Sequence, residues 1–230
     1  MAAVRAVLFD VDFTLARPGR ELMPDGYVRC GPRYGLALDP SRYEQARTDS
    51  LVDLKRHPEL DHDEGIWIAF TERIVRGMGG DAPVAREVAV ELTSRWQRHE
   101  NFELYEDVLP VLDELRRRGV RIGLVSNSAR DVAEFARHHA LRIDAGISSF
   151  HHGKAKPHAS IFQAVLDLLG VDPCDAAMVG DALEDDVEGA RALGMHAVLV
   201  DRLGLHPDFE PRIDDLYALP AVLGLPTMET

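Results

Sequence analysis

Two carboxylates one residue apart, Asp10 and Asp12, stand directly after the apolar run Ala6-Val7-Leu8-Phe9, and a hydroxyl, Thr14, follows two residues on. A bounded apolar run of this kind reads as a strand buried on both faces. In a parallel sheet, ligands bind beyond the carboxyl ends of such strands. Residues two apart in an extended chain project to the same side, so an ordinary strand would bring the two carboxylates together. Like charges roughly 4 Å apart repel by about 4 kcal/mol at an effective dielectric of about 20, and a hard cation between them removes that cost. Two aspartates can also simply cap a turn after a core strand. D-x-D alone leaves both readings open.

Three further polar clusters follow apolar stretches in the second half of the chain. Ser126-Asn127-Ser128 comes after the run at 120–125. A hydroxyl and turn amides there can hold a phosphoryl oxygen, or form a common turn and helix cap. Lys154 and Lys156 lie in His152-Gly153-Lys154-Ala155-Lys156-Pro157. Apart from Lys55 they are the only lysines in the chain, every other basic side chain being Arg. A compact point charge required at one position would explain that choice, and a solvated basic loop is the plain alternative. Gly180-Asp181-Ala182-Leu183-Glu184-Asp185-Asp186 follows the run at 176–179. Acids at a helix N-terminus are favourable in their own right. In combination the clusters say more. Carboxylates at two strand tips supply a divalent-metal cage, and a hydroxyl and a lysine supply donors for an anion. A transferring phosphoryl group needs that set, because its charge must be neutralised as it moves.

The elements that must carry these residues follow from periodicity. Strands are expected at 120–125, 143–147, 176–179 and 197–200, and helices at 105–118, 129–139, 160–169, 185–193 and 214–223. Strand and helix in alternation predict a doubly wound parallel sheet. After Leu15, Pro18, Gly19, Pro24 and Gly26 read as an irregular linker, and from there to about Asn101 the pattern is helical, with no convincing strand. Ser41 after Pro40, with Glu44 three residues on, offers a capping box for a helix running toward Lys55. A second helix holds Ile66, Phe70, Ile74 and Val75 and stops at Gly77. A third places Val84, Val88, Leu92 and Trp96 on one face. The gap from Asp12 to the next sheet strand near Val120 is too long for an ordinary crossover. The helical segment 16–103 is therefore expected to be an inserted domain, and 1–15 with 104–230 the core. An insertion beside the aspartate pair sits where a lid should be.

The 230 residues are 46% hydrophobic, an ordinary globular composition, and carry a formal charge of −13. That charge argues against nucleic acid or an anionic membrane as a partner, but not against a small phosphorylated substrate, since charges beyond about 8 Å are screened. No apolar run approaches a membrane span. Two lone cysteines, Cys30 and Cys174, point to a reducing, cytoplasmic setting. The oligomeric state is not legible.

The chain resembles the haloacid dehalogenase superfamily. Asp10-Val11-Asp12-Phe13-Thr14 matches its D-x-D-x-T motif, Ser126 its hydroxyl motif, Gly153-x-x-Lys156-Pro157 its lysine motif, and Gly180-Asp181 to Asp186 its G-D-x-x-x-x-D motif. All four occur in family order, and the insertion after the first resembles the family's helical cap of the first type. The resemblance implies a magnesium-dependent phosphatase with a Rossmann-like α/β fold, acting on a small phosphorylated metabolite. Asp10 would be the nucleophile, forming an aspartyl-phosphate, and Asp12 the acid and then the base. Magnesium would be held by Asp10, Asp181 and the backbone carbonyl of Asp12, with Asp185 or Asp186 ordering the outer shell. Ser126 and Lys156 would bind the phosphoryl group, with the Asn127 amide assisting and Lys154 a surface neighbour. Many members have glycine where this chain has Phe13, whose ring is expected to line the pocket or brace the cap.

Other chemistries of the superfamily remain in view. Dehalogenases lack the second aspartate, so Asp12 favours a phosphatase. A phosphonatase needs a cap lysine, for which Lys55 is the only candidate. A phosphomutase differs in how the cap retains an intermediate. From another class, a phospho-accepting receiver domain uses acids, a hydroxyl and a lysine, but lacks the long insertion and the D-x-D pair on the first strand.

Overall fold

In the computed structural model, residues 4–80 and 82–225 are described. Residues 1–3 and 226–230 of the expected core, and Asp81 of the expected insertion, lie outside them. The chain forms two units, Met1–Arg17 with Leu104–Thr230, and Pro18–Glu103.

The first strand, β1 (Ala6–Phe9), is fully buried along its length, as a continuous Val/Leu/Phe run requires between two covered faces. The chain then leaves through β2 (Ala16–Pro18) into four helices, α1 (Pro24–Cys30), α2 (Tyr43–Val52), α3 (Glu64–Gly77) and α4 (Ala82–Arg95), and returns through β3 (Phe102–Leu104). The two short strands pair with each other. From there strand and helix alternate: α5 (Val108–Arg117), β4 (Arg121–Ser126), α6 (Val132–His138), β5 (Ala145–Ser148), α7 (Ser149–His152), α8 (Ala159–Leu169), β6 (Ala176–Gly180), α9 (Gly189–Ala192), β7 (His196–Val200), β8 (Arg212–Ile213) and α10 (Leu219–Val222). The sheet order is β5-β4-β1-β6-β7-β8, and every pairing in it is parallel. This is the doubly wound sheet that the alternation predicts. β1 lies between β4 and β6, with Leu8 opposite both Gly123 and Met178. The strand order reverses at β1, and ligands bind at such a reversal.

Each unit has its own apolar interior. In the sheet unit Ile161, Phe162, Val165, Leu166 and Leu169 make one buried stripe of α8, packed with Leu8, Val125, Met178 and Leu199. Each such side chain contributes roughly 1.5–3 kcal/mol on full burial. In the helical unit Tyr27, Tyr43, Ile74, Val75, Met78, Val88 and Leu92 form a separate cluster.

The local departures from expectation have physical causes. The capping box expected at Ser41 does not form. Asp39 accepts the Ser41 N–H at 2.9 Å and its hydroxyl at 2.7 Å, because a carboxylate before Pro40 reaches the same donors. β2, β3 and β8 have three, three and two residues, too few for a period of two to register. α6 begins at Val132 and not at 129, since Asp131 is its cap, accepting from Ala133 N and Glu134 N at 2.8 and 3.0 Å. The helix expected at 185–193 instead winds wide over Leu183–Glu188 and is α-helical only over Gly189–Ala192.

Candidate active site

Asp10 extends the register of β1 by one residue, its N–H donating to Val179 O at 2.9 Å. That bond sets it beside the tip of β6, where Gly180 and Asp181 continue. One carboxylate oxygen each of Asp10, Asp181 and Asp186 lies within 4.8 Å of the others. Lys156 is 3% exposed, and its Nζ donates to Asp10 Oδ1 at 2.5 Å and to Asp186 Oδ1 at 2.6 Å. Asp186 rather than Asp185 is the buried acid of the wide turn, with none of its surface exposed. Gly180 makes room for it: a Cβ there would sit 2.1 Å from Asp186 Oδ2. Thr14 Oγ1 donates to Asp181 Oδ1 at 3.1 Å.

Asn127 fixes the lysine loop from the neighbouring strand. Its Oδ1 accepts the Lys156 N–H at 2.7 Å, and its Nδ2 donates to Lys156 O at 3.0 Å. Ser126, 1% exposed, shares a hydrogen bond of 2.9 Å with Ser128. Lys154 is half-buried.

Asp12 behaves differently from its neighbour. After Asp10 the chain closes a tight loop, in which Phe13 N donates to Ala16 O at 2.7 Å and Leu15 and Ala16 N–H both donate to Val11 O. The two-residue strand alternation therefore does not apply. Among the described residues the Asp12 carboxylate is not one of the Asp10–Asp181–Asp186 group; Arg130 Nη2 lies 2.8 Å from each of its oxygens. Phe13 in this loop has φ +64, a left-handed conformation that costs a side-chain-bearing residue roughly 1–2 kcal/mol. That conformation is a physical reason for glycine at the same motif position. Phe13 keeps 37% of its surface exposed.

Two arginines escaped the sequence reading. Arg130 falls in what periodicity assigned to the first turn of a helix. Arg202, after β7, donates to both oxygens of the buried Asp107, at 2.9 and 3.1 Å, and to Thr14 O at 2.9 Å. It also lies over the Tyr105 ring, 3.8 Å from the centroid. Only the dearth of Lys hinted that Arg carries structural weight here.

The electrostatics are those of an unfinished charge balance. With all three carboxylates ionised, they exceed the one ammonium by two negative charges. Burial pushes the Asp10 carboxyl well up; Lys156 draws it down, while Asp186, Asp181 and Asp12 push it further up. Asp181 is pushed up to about 7, chiefly by burial and then by Asp186. Burial would lower the Lys156 ammonium, but Asp10 and Asp186 overcome it and hold it above the usual lysine range. A divalent cation matches both the excess charge and the all-oxygen donor set.

Fold and site together define an α/β protein with an acid–lysine centre at the strand tips of a parallel sheet. Residues 4–194 match the model of the haloacid dehalogenase-like hydrolases, and the chain belongs to that family. It is 31% identical to the glyceraldehyde 3-phosphate phosphatase of Methanopyrus kandleri, over 92% of this chain and 90% of that one. It is also 31% identical to the human N-acylneuraminate-9-phosphatase, over 99% and 94%. Among solved structures, a HAD phosphatase from Thermococcus onnurineus superposes with a TM-score of 0.66 at 25% identity, covering 96% of this chain and 98% of that one.

Proposed function

We propose that this chain is a magnesium-dependent phosphatase that hydrolyses a small phosphorylated metabolite through an aspartyl-phosphate on Asp10. The observation that carries the reading is Lys156, buried and bonded to both Asp10 and Asp186 in a centre whose three carboxylates, once ionised, call for two further positive charges. The phosphatase names of relatives matching nine-tenths of the chain or more support it. In the first half-reaction an Asp10 oxygen attacks phosphorus. The ester P–O bond breaks, and Asp12 gives its proton to the departing oxygen. In the second, Asp12 takes a proton from water as the water oxygen attacks phosphorus, which frees inorganic phosphate and restores Asp10. Lys156, with Ser126 and the backbone amide of Asn127, holds the phosphoryl oxygens. Asp10 and Asp181, with the Asp12 carbonyl and Asp186 in support, hold the magnesium, whose chemistry is to neutralise phosphoryl charge and draw the Asp10 carboxyl down into its ionised, nucleophilic form.

The helical unit Pro18–Glu103 is inserted directly after the Asp10 loop, and we assign it the role of a cap that selects the substrate. Two relatives of equal identity carry names with different substrates, so identity does not choose between them. A cytoplasmic setting agrees with two unpaired thiols, Cys30 and Cys174.

The test is turnover of a panel of phosphate monoesters with and without magnesium, with Asp10→Asn alongside. The expected result is metal-dependent release of phosphate that Asp10→Asn abolishes. Activity that survives Asp10→Asn, or is indifferent to metal, would overturn the mechanism.

A further inference from the structure

We propose that Arg130 is a positioning residue that holds the Asp12 carboxylate for proton transfer and keeps it apart from the Asp10–Asp181–Asp186 cluster. The inference rests on the phosphatase reading above and adds to it a residue that acts on the reaction through Asp12. Arg130 is 2% exposed, in a chain whose arginines mostly reach solvent. One of its nitrogens lies 2.8 Å from both Asp12 oxygens. A charged donor shared evenly by two oxygens fixes where the carboxylate sits. The Asp12 side chain is 22% exposed, so it is gripped from within the unit and open on its other side.

The alternative orientation of Asp12 is costly. Turned toward Asp10, it would add a fourth carboxylate to a centre already short of positive charge. A buried guanidinium is always charged and planar, and so is suited to retain Asp12 in the other direction. Arg130 is itself braced: its guanidinium lies over the Phe135 ring, 5.2 Å from the centroid, and its chain neighbour Asp131 is locked as the α6 cap. The loop from β4 to α6 thus carries Ser126, Asn127 and Arg130 together. One segment places the phosphoryl donors, the lysine clamp and the holder of the proton shuttle. In the first half-reaction the proton passes from Asp12 to the departing oxygen, and in the second from water to Asp12. Arg130 neither gives nor receives it.

The test compares the full chain with Arg130→Met, Arg130→Lys, Asp12→Asn and the Arg130→Met/Asp12→Asn pair, on an alkyl phosphate and on dinitrophenyl phosphate, with unfolding midpoints alongside. Arg130→Met is expected to lower kcat on the alkyl ester about 10- to 100-fold with KM within about twofold. Release of the first dinitrophenolate needs no proton, so its burst should stay within about threefold of wild type, while later turnover, which needs Asp12 to deprotonate water, slows. Arg130→Lys should recover part of the loss. In the Asp12→Asn background, Arg130→Met should change the rates by no more than about twofold, because residues acting as a unit are not additive. A rise in KM at constant kcat would make Arg130 a phosphate ligand and overturn the inference. Equal losses on burst and turnover, or additive losses in the double variant, would do the same by showing a merely structural role. Should Arg130→Met not fold, Arg130→Lys and Arg130→Gln carry the same comparison. A wild-type chain that turns over neither ester removes the phosphatase reading and this inference with it. Wild-type turnover that Arg130→Met matches on both esters removes this inference alone.

Discussion

At the scale of single residues, the centre is defined by what its charges lack. The Asp181 carboxyl is held at about 7 in the fold, against about 3.9 in an unfolded chain. A raised carboxyl keeps a proton in the native state that the unfolded state has released. Stability of the metal-free chain therefore falls as pH rises from about 4 to about 7 and levels off above that. Asp10, also raised, acts in the same direction. A divalent cation competes for these carboxylates only when they are ionised, so binding must release protons. The gain in unfolding midpoint on adding magnesium is expected to grow from pH 5.5 to pH 8. Calorimetry near pH 6.5, in buffers of different ionisation enthalpy, should register proton release. A midpoint gain that does not change with pH would contradict this account. The residue scale also marks what a sequence can disclose. Asp10 and Asp181 stand at strand ends beside apolar runs and are readable there, and Lys156 is readable as one of three lysines in a chain that otherwise uses Arg. Arg130 is not, because whether it opens a helix or closes a loop turns on Asp131, which caps α6 and starts it three residues later than periodicity places the helix start. The choice of Asp186 over Asp185 depends on the wide turn at Leu183–Glu188, which no helical periodicity foretells.

At the scale of elements, the first loop is held from behind as well as in front. Arg202, following β7, ties the Thr14 carbonyl to Asp107 ahead of α5, and Asp107 also accepts the Leu216 N–H at 2.7 Å. Three segments far apart in sequence meet on one ion pair, in which Asp107 is 1% exposed. Removing one partner of a buried pair costs about 3–5 kcal/mol, because the other is left charged in a poor solvent, whereas replacing both by apolar groups is close to neutral. Arg202→Met is thus expected to lower the free energy of unfolding by roughly that 3–5 kcal/mol in urea, and Arg202→Met with Asp107→Leu to recover only part of it, since the Leu216 N–H and the Thr14 carbonyl are left without these partners. An Arg202→Met chain as stable as wild type would show that the pair is ornamental. The parallel sheet was legible because each of its inner strands is an apolar run between turn residues. The ribbon of β2 and β3 was not, since its pairing is decided by the chain's two crossings and not by a pattern of its own.

At the scale of the whole molecule, a net charge of −13 does not oppose a phosphorylated substrate, because screening confines the relevant field to about 8 Å, within which Lys156 counts for more than distant acids. The two units bury separate apolar clusters, and the candidate metal ligands all belong to the sheet unit. A ligand that binds only the native state stabilises it by RT ln(1 + [L]/Kd), about 2.7 kcal/mol at a hundredfold excess over Kd. That free energy reaches only those amides whose exchange requires the ligated unit to open. Magnesium at such a concentration is expected to slow exchange in β1, β4 and β6 by up to about 100-fold, while amides buried in α3 and α4 stay within about twofold. The measurement is native-state hydrogen exchange by mass spectrometry, with and without the metal. Equal slowing in both units would mean that they open as one, and the helical unit would then be part of the same cooperative structure as the sheet that carries Asp10.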